Sequence, residues 1–207
     1  MGAVRSATQA LLNGADNEEE FRKELLRGME NELGQLQHQL DNIAHYQLIQ
    51  SGRFDLDYSL IESSVWLSGL SSYWRKRASK DDILIEEDIP ADLPSISGDQ
   101  ARLTLALNNI LRNAIENTPP GGRIFIKSGE KNGGIWISID DTGRGIPEEQ
   151  ANQIFEPLFQ VKRRSRFPKG LGLGLCVANR LIAAHNGWMS MDSSQNGGSN
   201  FTIWLPI

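Results

Sequence analysis

Gly170-Leu171-Gly172-Leu173-Gly174-Leu175, running on into Cys176-Val177-Ala178-Asn179-Arg180-Leu181-Ile182-Ala183-Ala184-His185, is the stretch whose reading separates one fold from another. Three glycines at alternate positions free backbone N–H groups to point at phosphate oxygens, and the N-terminus of the following helix adds partial positive charge. Several folds hold phosphate in this way, so the surroundings of the glycines have to discriminate. The spacing is not the G-x-G-x-x-G of a dinucleotide-binding crossover, and no strand directly precedes it. The Lys-Ser/Thr pair that ends a P-loop is missing too. Both common parallel-sheet nucleotide folds are disfavoured.

Two segments upstream suit the same kind of site. In Asn109-Ile110-Leu111-Arg112-Asn113-Ala114-Ile115-Glu116-Asn117, the residues Asn109, Asn113 and Asn117 stand four apart. Their amides stack along one helical face, while Leu105, Ile110, Leu111 and Ala114 can face a core. An amide carbonyl is a hard oxygen ligand suited to Mg²⁺, an ion that usually takes few protein oxygens and completes its shell with substrate phosphates. A polar stripe on an ordinary surface helix would read the same way. The other segment is Asp141-Thr142-Gly143-Arg144-Gly145-Ile146-Pro147. A carboxylate at a strand end can accept a hydrogen bond from the amino group of adenine, and the two glycines let the backbone turn and approach a flat base closely. D-x-G-x-G is a common turn, but the β-run before it and the proline-initiated helix after it add weight.

The rest of the pattern is mixed. From about Glu18 to Gln50 the residues Leu26, Met29, Leu33, Leu36, Leu40 and Ile43 alternate steps of three and four, the seam of a coiled coil or helical bundle. Val4 to Leu12 reads as the tail of an earlier helix, closed by Asn13-Gly14 and restarted after Asp16-Asn17. This hairpin, residues 1–52, has too little core to stand alone and is expected to pair with a second copy in a four-helix bundle. Residues 53–207 read as α+β. Ser59 to about Ser79 is expected to be a helix that buries Ile61, Val65, Leu67 or Leu70, and Trp74. Ile83-Leu84-Ile85 reads as a strand, and Ser97-Gly98-Asp99 caps a helix to Asn117. Arg123–Ser128 and Ile135–Asp140 form an antiparallel pair around Asn132-Gly133-Gly134. Pro147 opens a short helix to Phe155, Leu171–His185 is a longer one, and Trp188–Asp192 with Asn200–Leu205 closes the chain. The sum is a layer of helices on one face of a mixed sheet.

Composition narrows the class. A net charge of -5 argues against general nucleic-acid binding, which needs a broad basic face. No apolar run approaches the roughly 20 residues a membrane span requires. Met1-Gly2-Ala3-Val4-Arg5 lacks the pattern of a secretory signal, and the single cysteine, Cys176, fits a reducing, cytoplasmic setting. One stretch opposes the overall charge: Lys162-Arg163-Arg164-Ser165-Arg166-Phe167-Pro168-Lys169 gathers cations immediately before Gly170.

In this order the three segments resemble the N, G1 and G2 boxes of the histidine-kinase branch of the GHKL ATPase superfamily. Phe155-Glu156-Pro157-Leu158-Phe159 resembles the branch's F box. His185-Asn186-Gly187, followed by Gly197-Gly198-Ser199-Asn200-Phe201-Thr202-Ile203-Trp204-Leu205-Pro206, resembles its closing strands. The resemblance implies the Bergerat fold, an α/β sandwich holding ATP and Mg²⁺ beneath a flexible lid. It implies Asn113 as the Mg²⁺ ligand, with Asn109 beside the phosphates and Asn117 on the same face. Asp141 would select adenine, helped by Gly143, Gly145 and Ile146. Gly170, Gly172 and Gly174, with Leu171, Leu173 and Leu175 between and after them, would form the lid hinge, and Thr202 would complete the pocket. Lid cations among Lys162, Arg163, Arg164, Arg166 and Lys169 would neutralise the triphosphate. In the intact protein the γ-phosphoryl group would pass to a histidine, and from there to an aspartate of a response-regulator receiver domain.

Two departures matter. The N box commonly carries Lys or Arg where Glu116 stands, and a carboxylate cannot donate to phosphate. Either a lid cation substitutes or Glu116 turns elsewhere, and weaker ATP binding is one outcome. The acceptor motif His-Glu/Asp-x-x-Thr/Ser-Pro-Leu, expected just ahead of Gly2, is absent, so the chain reads as a fragment that lacks its acceptor histidine and has no certain catalytic residue. His38 and His45 are expected at exposed helix positions and His185 at a helix C-terminus. Trp66, Trp74, Trp136, Trp188 and Trp204 read as core or interface residues. Two other readings are a catalytically inactive scaffold that docks partners without using ATP, and a GHKL ATPase clamp driven by hydrolysis.

Overall fold

The structure, a computed structural model, describes residues 5–9, 19–52, 55–161, 170–193 and 197–207, and it falls into two units, Met1–Gln47 and Leu48–Ile207. In the first, residues 5–9 are helical and α1 runs Glu19–Gln50. The expected Asn13-Gly14 and Asp16-Asn17 breaks lie outside the described residues. The alternating seam divides into two rows. Met29, Leu36 and Ile43 are half-buried, whereas Leu26, Leu33 and Leu40 stay 50%, 54% and 61% exposed. His38 and His45 are half-buried rather than exposed, and each also bonds within its own helix. Asn42 Nδ2 pairs with His38 Nε2 at 3.0 Å, and His45 Nδ1 lies 2.6 Å from the Asp41 carbonyl. The helix stops at Gly52, which takes a left-handed φ of 63°.

After the last residues of α1, the second unit has β1 (Ser59–Ile61) and α2 (Ser63–Ala78), followed by a short 3₁₀ turn at Ser79–Asp81. Next come β2 (Leu84–Asp88), β3 (Ile96–Gly98) and α3 (Gln100–Asn117). The hairpin β4 (Arg123–Lys131) and β5 (Gly134–Asp141) leads to α4 (Gly174–Ala184), β6 (Trp188–Ser193) and β7 (Ser199–Pro206). The five long strands form one sheet in the order β2-β4-β5-β7-β6, with only the β2–β4 contact parallel. β1 and β3 make a separate antiparallel pair.

Local chemistry accounts for most of these boundaries. Asp99 sits at the N-cap of α3 and accepts a hydrogen bond from the Arg102 N–H at 3.0 Å. Leu103, Ala106, Leu107, Ile110, Leu111 and Ala114, spaced at helical period, are buried along one stripe. Thr118 Oγ1 donates to the Ala114 carbonyl at 2.8 Å, and Pro119-Pro120 prevent continuation. The β4–β5 turn has Asn132 at φ 55° and Gly133 at φ 70°, which matches the twist of the strands it joins. Period two then sorts the sheet. Ile124, Ile126, Ile135, Ile137, Ile139, Phe201, Ile203 and Leu205 are buried on one face. On the other face Trp136, Trp204 and Trp188 lie in register across three strands. Trp66 and Trp74 are core residues, whereas Trp188 is half exposed.

Three expectations change. Ser59–Ile61 pairs with Ile96–Gly98 as a strand, so the helix begins at Ser63, and Val65 lies 67% exposed while Trp66 takes the buried position. The partner strand is 35 residues or more away, and a propensity argument does not see it. The segment after Pro147 is a 3₁₀ turn at Glu148–Gln150 followed by further turns, with no regular helix to Phe155. The last helix starts at Gly174, not Leu171.

His185 closes the unit. It is buried, its Nε2 accepts the Asp99 N–H at 3.0 Å, and its Nδ1 donates to the Leu181 carbonyl at 2.7 Å. These two bonds require the neutral Nδ1–H tautomer and join the end of α4 to the start of α3. Replacing His185 with Ala strands the Asp99 N–H and opens a cavity, so a loss of about 2–4 kcal/mol is expected in urea unfolding. A loss below roughly 0.5 kcal/mol would contradict this role.

Candidate functional site

Asn109, Asn113 and Asn117 lie on one side of α3, along the edge of its apolar stripe, and successive positions are separated by about 6 Å of helix rise. Asn109 is buried at the upstream end, while Asn113 and Asn117 are half-buried. Asn117 Nδ2 donates to the Asn113 backbone carbonyl at 2.7 Å and to its Oδ1 at 3.0 Å. Leu105, expected in the core, is half-buried. Glu116 is exposed on the last turn.

The other two segments meet opposite ends of this stripe. At the downstream end Gly143 packs so tightly that a Cβ there would lie 2.6 Å from both the Asn117 carbonyl and Asp141 Oδ1. At the upstream end a Cβ on Gly174 would lie 3.5 Å from Asn109 Oδ1. The acidic turn, the asparagine stripe and the glycine hinge therefore adjoin in the order the chemistry needs. Asn113 is the middle of the three.

Asp141 ends β5 on the buried face of the sheet and is itself buried. Its Oδ1 accepts the Gly143 N–H at 2.8 Å and the Ser199 N–H at 3.3 Å. Backbone donors of this kind hold a carboxylate in one plane. An ionised carboxylate still has acceptor positions beyond two such bonds. The close approach depends on Gly198, where a Cβ would overlap the Asp141 carbonyl. Gly145 packs beside the Gly198 carbonyl, and Ile146 is half-buried next in line.

The hinge is anchored to the F-box segment. Gly172 has φ 68° and its carbonyl accepts the Leu158 N–H at 3.1 Å, while a Cβ there would collide with the Phe159 carbonyl. Leu158 itself has φ 64°, a conformation that costs a branched side chain energy. Gln160 Nε2 donates to the Gly170 carbonyl at 2.7 Å, which ties the two ends of the segment between them. Of the intervening leucines, Leu173 is a core residue, Leu175 is half-buried and Leu171 is 39% exposed. Gly170 and Gly172 take left-handed φ values of 89° and 68°, and the buried Leu173 anchors the segment from below. Lys162, Arg163 and Arg164 lie outside the described residues.

Thr202 is a correction. It pairs with Ser138 on the sheet face that carries Trp136 and Trp204, and its Oγ1 donates to Asn200 Oδ1 at 3.0 Å. Asp141 lies on the other face. Ser199, three residues earlier, is the β7 residue that reaches Asp141, through its backbone N–H. Only the β5–β7 register could reveal this.

The donor set suits a magnesium nucleotide better than a bare ion. Among the described residues no three His, Cys, Asp or Glu side chains come together as a metal cage. One amide oxygen, that of Asn113, is presented in the middle of the stripe, the arrangement Mg²⁺ tolerates when phosphates complete its shell. Cys176, in the first turn of α4, is buried. Burial pushes its thiol pKa up, and Arg180 draws it partly back.

Comparison with known proteins agrees with this geometry. Residues 98–207 match the family described as "Histidine kinase-, DNA gyrase B-, and HSP90-like ATPase". The adaptive-response sensory kinase SasA of Synechococcus elongatus is 41% identical over 145 residues, 68% of this chain and 35% of that protein. A catalytic domain of histidine kinase ThkA, in a nucleotide-free crystal form, superposes with a TM-score of 0.62 at 27% identity, covering 72% of this chain and 97% of that one. Full-length ShkA in complex with AMPPNP shares the fold, with a TM-score of 0.74 at 24% identity over 97% of this chain and 42% of that one. The chain spans 25–35% of the length of the curated relatives it matches.

Two outcomes test the site. Gly198→Ala should weaken binding of an adenine-nucleotide analogue at least about tenfold by displacing Asp141, and Thr202→Ala should leave it within about twofold. Equal losses in a fluorescence titration would return Thr202 to the pocket. Cys176 should resist iodoacetamide at pH 8 until denaturant is added, and labelling of the native chain at the unfolded rate would contradict its burial.

Proposed function

Because the chain belongs to the family of histidine kinase-, DNA gyrase B- and HSP90-like ATPases, we propose that it is the ATP-binding catalytic part of a sensor histidine kinase. The observation that carries this reading is the asparagine stripe of α3, with Gly143 seated at its Asn117 end and Gly174 at its Asn109 end. Adenine lies at the Asp141 turn, where the carboxylate, already fixed by two backbone N–H groups, accepts the exocyclic amino group. Gly143, Gly145 and Ile146 shape the contact with the base. The triphosphate extends along α3 towards the Gly170–Gly174 hinge, where backbone N–H groups and the start of α4 meet its charge.

Asn113 would hold Mg²⁺, and Asn109 would lie beside the phosphates. When bound, the ion neutralises charge on the phosphates and orients them for in-line transfer. Lys162, Arg163 and Arg164, which precede Gly170 in the sequence, would add positive charge. In the intact protein a histidine nitrogen attacks the γ-phosphorus. A P–N bond forms as the bond to the bridging oxygen breaks, and ADP leaves with that oxygen's electron pair. The phosphoryl group then moves to an aspartate of a receiver domain. The chain's part is positioning and charge neutralisation, which is most of what phosphoryl transfer requires.

Within residues 1–52, helix α1 is the dimerisation element of this reading, and its exposed row Leu26, Leu33 and Leu40 is the face a second copy would cover. Residues 53–207 form the catalytic domain, and the setting is cytoplasmic. Among the described residues no helix is long and apolar enough to cross a membrane. Glu116, exposed where a cation is usual, is the one feature that favours an inactive scaffold instead.

Titration with a fluorescent ATP analogue separates these readings. Magnesium-dependent binding is expected, with Asn113→Ala weakening it by about ten- to a hundredfold. No binding by the wild type at millimolar analogue would establish the scaffold. Incubation with γ-labelled ATP should leave the chain itself unlabelled, since none of its three histidines sits in an acceptor motif. Label retained on His38 or His45 would refute that part.

A further inference from the structure

We propose that Asn117 is a positioning residue that orients the metal-binding oxygen of Asn113 and couples it to the adenine turn. The inference rests on the magnesium–ATP reading and deepens it. Asn117 Nδ2 donates at 2.7 Å to the Asn113 backbone carbonyl and at 3.0 Å to Asn113 Oδ1. The first bond fixes the Asn117 amide against its own helix, so the donor cannot rotate away. The second bond selects one of the two orientations of the Asn113 amide. An amide can present either its oxygen or its NH₂ group to a given direction, and the two differ little in shape. A donor from Asn117 holds the oxygen on the site face of the helix and disfavours the flipped form, in which the NH₂ group would face the cation. Oδ1 carries two lone pairs, so one bond to Asn117 leaves the other for Mg²⁺. Groups that orient a metal ligand in this way typically contribute ten- to a hundredfold to metal affinity.

The backbone of Asn117 serves the other half of the site. Gly143 rests on its carbonyl, at a distance where a Cβ would come within 2.6 Å of that oxygen. The same Gly143 donates its N–H to Asp141 Oδ1. One residue at the last turn of α3 therefore sets the metal ligand through its side chain and seats the base-binding turn through its carbonyl. A helix-capping role alone would also explain the bond to the Asn113 backbone carbonyl, and would act through stability without regard to the metal.

The test compares the wild type, Asn117→Leu and Asn117→Gln by titrating a fluorescent non-hydrolysable ATP analogue into the full chain, in EDTA and across a Mg²⁺ series. Leucine matches the size of asparagine without a donor, and glutamine restores the donor on a longer arm. Expected for Asn117→Leu is at least a tenfold rise in the Mg²⁺ concentration at half-maximal binding, with affinity in EDTA changed less than twofold. Asn117→Gln should recover part of the Mg²⁺ response. Equal losses with and without Mg²⁺, or no change in either, would overturn the positioning role while leaving the nucleotide reading intact. If Asn117→Leu melts before it can be titrated, the glutamine variant decides: a Mg²⁺ response unaltered in step with a lowered melting temperature would reduce Asn117 to a cap. A wild type that binds no analogue at all would remove the underlying reading and this proposal with it.

Discussion

Helix α3 has to satisfy two surroundings at once, and the rest of the catalytic unit is arranged around that constraint. Its apolar stripe, from Leu103 to Ala114, is buried with α4 packed alongside, while its amide stripe faces the turn at Gly143 and the hinge at Gly174. A helix repeats every 3.6 residues, so positions four apart stay on one face for only about three turns before they drift around the axis. The three asparagines use that whole allowance. The helix cannot rotate to improve one function without exposing leucines or burying amides, and its two ends are held accordingly. Asp99 caps the start and is itself held by His185 from the end of α4. Thr118 and Asn117 occupy the last carbonyls at the other end.

Close backbone approach is the second organising feature, and it explains where glycine is indispensable. Gly143 meets Asn117, Gly198 meets Asp141, and Gly172 meets Phe159, each at a distance that a side chain would forbid. These are contacts between segments far apart in sequence. Together they bring an acidic strand end, a helix end and a loop within hydrogen-bonding reach without intervening side chains. The positive φ of Leu158, facing Gly172 across one hydrogen bond, places some strain where the hinge begins. The open face of the sheet is built differently. Its tryptophans lie in register across strands, the Trp136 ring over Gly129 and the Trp204 ring over Gly134, and Trp204 Nε1 donates to the Lys131 carbonyl at 2.9 Å, so this face carries none of the site residues around Asp141.

Glu116 gives the site an electrostatic character of its own. It stands exposed one turn beyond Arg112, whose guanidinium lies over the Trp74 ring at 5.7 Å from the centroid. An acidic side chain here cannot donate to an anion, so that task falls to cations elsewhere in the chain. The basic stretch before Gly170 is the place in the sequence where such cations are concentrated.

The sequence by itself determined the class of the fold, the extent of α3 and the β4–β5 turn, because each is written in a local rule. Those rules are helical period, strand alternation, cap chemistry and left-handed glycine conformation. It misplaced Ser59–Ile61, the start of the last helix and Thr202 for a common reason. A strand's partner, a helix's first bonded turn and the face on which a strand residue lies depend on register between distant segments, and register is a property of packing. Tertiary structure alone decided that Ser199 rather than Thr202 attends Asp141. It also decided that His185 bridges two helices, and that Asn117 turns its amide onto Asn113. Hydrogen bonds of that kind are chosen only once burial has fixed which groups meet out of reach of water.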